Sequence, residues 1–269
     1  AVVMLVGFSM AGVLKLNPVL IAHAMTSVIL GIAALYFVGV FLFCGLGKIE
    51  KERVAVILVL FLASALFWSG FEQAGSSFNL FAERFINRHW LNFEIPAGWY
   101  QALGPIFIIT FAPAMAGTAA ASADGRLARR NLDPSVPVKF ALGLLLLAAG
   151  FIVMAGAARV VAAGHPAAPM WLVSTYLIHT FGELCLSPVG LSSVTKLAPR
   201  KLVGQMMGIW FLATSLGNLL AGLLAGEFKS DTVVEWPGLY LKIIILPLIA
   251  GGLLAVFSGP VKRWMAGVR

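Results

Sequence analysis

Residues 168–198 read APMWLVSTYLIHTFGELCLSPVGLSSVTKLA. The run is several times longer than a typical strand and shows no alternation of apolar and polar positions. A bilayer core of about 30 Å accepts roughly 20 apolar residues as a helix. Strands would need a closed barrel to satisfy their backbones in lipid, and the alternating pattern of such barrels is absent. The stretch therefore predicts a transmembrane helix with a single carboxylate, Glu183, inside it. Apolar segments of the same kind lie at approximately 1–16, 18–46, 54–82, 98–122, 138–162, 203–226 and 238–260. The fold class that follows is an all-α polytopic membrane protein.

Composition agrees. Of 269 residues, 60% are apolar and 11% are charged, whereas soluble domains average about 25% charged. So few polar side chains cannot cover a water-facing surface, which excludes an ordinary soluble globule. The formal net charge is +8, but the basic residues fall in short clusters between apolar runs. That is a topology signal rather than a nucleic-acid groove. Cys44 and Cys185 lie in apolar stretches, with no cysteine at metal or redox spacing, and read as small buried hydrophobes. The N-terminal Ala-Val-Val-Met lacks the charged start of a signal peptide and begins inside an apolar run, as in a chain continued from a longer one. The sequence offers no Gly-rich phosphate loop, paired metal ligands or hydrolase triad, so neither an enzyme nor a bound metal or cofactor is expected.

The loops carry the orientation. If 48–53 is cytoplasmic, strict alternation places 124–137, 199–202 and the C-terminal tail on the same side. Those loops and their borders hold thirteen Lys or Arg, against six on the opposite side. This positive-inside bias puts the C-terminus in the cytoplasm. Loop 121–137 (ASADGRLARRNLDPSVP) separates spans rather than domains, and loop 83–97, with Arg84, Arg88, His89 and Glu94, belongs to the outer surface.

Two carboxylates lie at lipid depth. Glu72 falls within 67–80 (FWSGFEQAGSSFNL), and Glu183 is 13 positions after Met170, about 20 Å along a helix axis and close to mid-bilayer. Intramembrane carboxylates cost a few kcal/mol and normally face a cavity, a partner charge or a proton path. Burial disfavours the charged form and an approaching cation favours it, so such a pair suits cyclic proton uptake and release. The alternative is that each is merely protonated or paired for structure. Pro188 has no amide hydrogen to give the carbonyl of Leu184 and clashes with it, so it reads as a hinge or an inert kink, with Ser187 placed to re-satisfy the freed backbone. Gly182 and Gly190 should let neighbouring backbones approach closely. His179 shares a helical face with Glu183, as a structural hydrogen-bond donor or a second proton site. Trp68, one turn before Glu72, and Trp210 lie inside spans and can line a cavity or serve as packing. Gly208, Gly217, Gly222 and Gly226 suggest a closely packed helix.

These residues carry a resemblance. Phe67-Trp68-x-x-Phe71-Glu72-Gln73-x-x-Ser76-Ser77, continuing to Leu80-Phe81-Ala82, resembles the seventh transmembrane helix of the proton-dependent oligopeptide transporters, within the major facilitator superfamily. Gly182-Glu183-Leu184-Cys185-Leu186-Ser187-Pro188-Val189-Gly190-Leu191-Ser192, then Thr195-Lys196-Leu197-Ala198-Pro199, is similar to the tenth-helix signature of that family. Gln205-Met206-Met207-Gly208-x-Trp210-Phe211-Leu212 resembles its eleventh helix, and Pro137-x-Lys139-Phe140-Ala141-x-Gly143 the start of its ninth.

The resemblance implies a linker transmembrane hairpin over 1–48 and a C-terminal six-helix bundle over 49–269, with the N-terminal bundle and its Glu-x-x-Glu-Arg-Phe motif not in this chain. It further implies proton-coupled symport of di- and tripeptides by alternating access, protons being the coupling ion. Glu183 and Ser187 would hold the amino end of the peptide, Trp68 and Trp210 would wall side-chain pockets, and Glu72 would form a gating salt bridge to the motif arginine of the other half. Gly104 departs from the pattern, because the family usually has Asn before the proline there. The implied setting is the inner cell membrane, with the N-terminal bundle, the bilayer and peptides as partners, and no nucleic acid. The competing readings are a non-transporting membrane scaffold, whose glutamates would pair with bases in this chain, and a relative that carries nitrate or another small solute.

Overall fold

The computed structural model describes residues 17–123, 134–228 and 233–268. The expected first segment, 1–16, and most of loop 121–137 lie outside the described residues. Helix α1 (Pro18–Phe43) starts where Pro18 presets the helical φ and the Asn17 side chain accepts the amides of Val19 (3.0 Å) and Leu20 (3.2 Å). It ends at a turn through Gly45, at φ 61°, the left-handed region glycine enters without strain. Helix α2 (Lys48–Phe71) follows, its first turn closed by Glu50, whose carboxylate accepts the Gly47 amide at 3.0 Å.

The apolar segment expected at 54–82 is not one continuous α-helix. A 3-10 turn over Glu72–Gly75 separates α2 from α3 (Ser77–Phe85). A short antiparallel hairpin, β1 (His89–Trp90) and β2 (Phe93–Glu94), is clamped by an Arg88–Glu94 ion pair at 2.6 Å. Then come α4 (Leu103–Ala123), α5 (Val136–Ala162), α6 (Met170–Leu197), α7 (Val203–Ala225), α8 (Trp236–Val256) and a short α9 (Ser258–Trp264). Among the described residues, five helical stretches are long and apolar enough to cross a membrane: α1, Lys48–Phe85, α5, Arg200–Ala225 and α8. Helix α6, 28 residues long, spans about 42 Å but is diluted by its polar residues.

Helix α5 is the central column and packs most extensively on α8 and α6, while α2 packs on α7. Towards one end of the bundle the core is aromatic: Phe78 and Phe81 of α3, Phe151 of α5 and Tyr240 of α8 have ring centroids 5.4–6.4 Å apart. At that end the α5–α6 loop is stitched to α3, the Ala167 amide donating to the Phe85 carbonyl at 2.9 Å. At the opposite end Arg53 of α2 donates to the Ala266 carbonyl at 3.3 Å, beside the α6–α7 loop. The elements therefore alternate in direction, and the basic clusters at 48–53, 196–201 and 262–263 share one end. Cys185 is buried as expected, but Cys44 is exposed, because it follows α1 in the turn rather than packing within a helix.

Candidate functional site

The break after Phe71 follows from its sequence. Gly75 costs helix stability through backbone entropy, and Ser76 and Ser77 compete for backbone partners. Backbone polar groups freed at lipid depth must find partners, and tertiary side chains supply them. The Tyr176 hydroxyl of α6 donates to the Ala74 carbonyl at 3.2 Å. The buried Gln73 amide donates to the Ala221 carbonyl of α7 at 3.0 Å, and its own oxygen accepts from the Ser76 hydroxyl at 3.3 Å. Glu72 thus stands, half-buried, on a broken helix pinned by α6 and α7. In the sequence Gln73 stands out only as a member of the seventh-helix motif, and Tyr176 not at all. The run Ala-Gly-Ser-Ser after Gln73 was a signal for the break, but nothing local pointed to Tyr176.

Helix α6 holds Glu183. Its Oε2 is buried with no hydrogen-bond partner among the described residues. Glu72 lies within electrostatic reach of it, so two carboxylates from distant parts of the chain are brought together. Neither meets a Lys or Arg within ion-pair distance among the described residues. Partner-free carboxylates in a mostly apolar bundle are costly unless they look onto a wet space.

The residues around Glu183 separate into supports and surface. His179 is 2% exposed, and its ring lies over Gly150, where any Cβ would collide with it. Its Nε2 lies 3.1 Å from the Leu147 carbonyl, which matches the structural-donor reading. Gly182 faces Gly143 of α5, and a Cβ on either would come within 3.0 Å of the other's carbonyl, the close backbone approach expected. Gly190 differs: it makes room for the indole of Trp210, a side chain rather than a backbone. Trp210 is 5% exposed and packs edge-on to Phe140 at 6.2 Å. Trp68 is half-buried and meets Phe71 edge-on at 5.3 Å, one turn before Glu72. Pro188 is exposed within a helix that continues to Leu197. The expected repair by Ser187 is not made: its half-buried hydroxyl has no hydrogen bond among the described residues. Gly104 lies in the first turn of α4, where a Cβ would meet nothing within 4 Å. Helix α4 flanks α6 through Phe111 and Phe181, 5.0 Å apart.

The four glycines singled out along α7 and at its C-cap also divide. Only Gly217 touches another helix: a Cβ there would lie 2.5 Å from the Trp68 Cβ and 2.8 Å from the Ala65 carbonyl. Gly208 and Gly222 face open space, and Gly226 neighbours its own last turn.

Comparison with known proteins bears on this arrangement. Residues 22–238 match the sequence profile of the POT family. The chain is 41% identical over 266 residues to the peptide transporter YePEPT of Yersinia enterocolitica, covering 98% of this chain and 51% of that protein. It is 32% identical over 239 residues to a di-/tripeptide transporter of Lactococcus lactis subsp. cremoris, covering 87% of this chain and 46% of the relative. A crystal structure of a mutant peptide transporter POT in complex with alafosfalin superposes with a TM-score of 0.82 at 30% identity, covering 99% of this chain and 53% of that one. The chain spans about half the length of the curated relatives it matches.

Proposed function

The chain belongs to the POT family of membrane transporters, and we propose that it supplies the C-terminal half of the central site in a proton-coupled di- and tripeptide symporter. The observation that carries this reading is the half-buried Glu183, whose Oε2 is buried without a hydrogen-bond partner, with Glu72 within electrostatic reach. A peptide offers an ammonium that such a carboxylate attracts, and the resulting charge-assisted hydrogen bonds are strong where water is excluded. Ser187, one turn from Glu183 on α6, adds a hydroxyl. Trp68 walls a side-chain pocket, with Trp210 backing α6 from behind Gly190. Glu72, on the interrupted helix, pairs with a base of the N-terminal bundle when deprotonated and releases it when a proton binds. That exchange couples the proton to rocking of the two bundles about a midplane site, with Pro188 as hinge. The scaffold alternative needs basic partners for both glutamates within this chain, and the described residues provide none. The protein acts in the inner cell membrane with its basic end and C-terminus in the cytoplasm, uses no cofactor beyond the proton, and has no catalytic role.

Dipeptide uptake driven by a pH gradient, measured with the complete transporter in liposomes, tests the reading. Glu183→Gln keeps the shape of the side chain but cannot carry the negative charge. Uptake should fall to background while the variant elutes from size exclusion in detergent as wild type does. Uptake at the wild-type rate overturns the assignment.

A further inference from the structure

A second feature lies at the basic end of the bundle, away from the two carboxylates. There a cavity of about 630 Å³ opens between the α1–α2 turn, the start of α2 and the α6–α7 loop. Its walls include Arg53, Lys196, Arg200, Lys201 and Glu50. Arg53, Arg200 and Lys201 thus stand around one carboxylate, and that carboxylate is already used to cap α2 through the Gly47 amide. Arg53 gives one guanidinium nitrogen to the Ala266 carbonyl, but its Nε is buried without a partner. The Arg53 guanidinium, which lines the cavity, thus keeps unfilled hydrogen-bonding capacity beside it. The cavity also lies where α1 and α6 end and α2 and α7 begin. The neighbouring end of α1 presents large apolar side chains, Leu42 at 67% and Phe43 at 84% exposure, alongside which acyl chains can lie.

We propose that this cavity binds the phosphate of an anionic phospholipid headgroup, with Arg53, Arg200 and Lys201 as its ligands. Basic pockets between helices at the cytoplasmic boundary have the chemistry for such headgroups, at about 1 kcal/mol, or fivefold, per basic side chain. The inference does not depend on the transport reading, and its test has a different readout.

Cys44 lies on the wall of the cavity and is exposed, so it can report occupancy. The full-length protein is used, with Cys185 and any cysteine outside this chain replaced by serine. It is placed in vesicles of phosphatidylcholine alone or mixed with phosphatidylglycerol, and the rate of Cys44 modification by a membrane-permeant maleimide is followed. Phosphatidylglycerol should slow modification by about fivefold or more, and the exposed pair R200Q/K201Q should remove the slowing. R53Q should do the same; if it fails to fold, the exposed pair still decides. Several results overturn the proposal: no slowing, or slowing that persists in R200Q/K201Q. Equal slowing at a reporter outside the cavity, Ser258→Cys in a Cys44→Ser background, would show a general surface-charge effect. Protection by inorganic phosphate in neutral vesicles would show a soluble-anion site. A Cys44 that is unreactive in every vesicle would place protein, not lipid, over the cavity.

Discussion

Replacing Gly217 by alanine should force α2 and α7 apart just behind the Trp68–Glu72 turn. The added Cβ would lie 2.5 Å from the Trp68 Cβ and 2.8 Å from the Ala65 carbonyl, with the Ser69 amide nitrogen at 3.1 Å. Carbon atoms rest about 3.5–4.0 Å apart, so this contact must open by roughly 1–1.5 Å. Two of the three obstacles are backbone and cannot rotate away. Overpacking of this kind costs about 1–3 kcal/mol, offset by about 0.5–1 kcal/mol from exchanging a helical glycine for alanine. The net loss is up to roughly 2.5 kcal/mol, which at about 2–4 °C per kcal/mol lowers the melting temperature by up to about 10 °C. The control is Gly252→Ala in α8, where a Cβ meets nothing within 4 Å. Both variants gain the same backbone preference and differ only in contact. Melting of the purified protein in detergent, followed by tryptophan fluorescence, should show Gly217→Ala clearly below wild type and Gly252→Ala at or slightly above it. Equal melting temperatures for the two would refute the claim that Gly217 sets the α2–α7 distance.

Two more outcomes follow from the same region. Gln73→Leu removes the buried donor to the Ala221 carbonyl and should cost about 1–3 kcal/mol, visible as a fall in melting temperature; an unchanged melt would mean that the pin does not hold the broken helix. Gly104→Asn should be tolerated, because the space beside Gly104 is empty, and it restores an amide at the position where the family resemblance places one. Its melting temperature should match wild type and its half-saturating dipeptide concentration should fall. A loss of folding would contradict the open space, and an unaltered dipeptide dependence would show that position 104 does not touch substrate.

Much of this protein was legible before any coordinates. Every described apolar segment became helical within a few residues of its expected span. Hydrocarbon content forces this, since a lipid-embedded chain has few other ways to satisfy its backbone. The two carboxylates stood out because charge at that depth is expensive. Glu72 and Glu183 could be named as candidates from depth alone. Their mutual proximity could not, since it depends on how α2 and α6 meet across more than a hundred residues of intervening chain.

What the chain order concealed was contact. Hydropathy averages over a window, so a four-residue 3-10 turn at Glu72–Gly75 disappears inside a long apolar run. Its partners, Tyr176 and the Ala221 carbonyl, are about a hundred residues or more away and acquire meaning only when the helices pack. Likewise Gly208, Gly217, Gly222 and Gly226 look alike in sequence, yet only Gly217 touches another helix. Apolar composition and rare buried charge set which segments cross the bilayer and which side chains are candidates, because transfer into lipid depends on each residue's own chemistry. Which glycine bears a crossing, which carbonyl needs a distant donor and which carboxylates come within electrostatic reach of each other were decided by packing, because those energies belong to pairs of residues rather than to any residue alone.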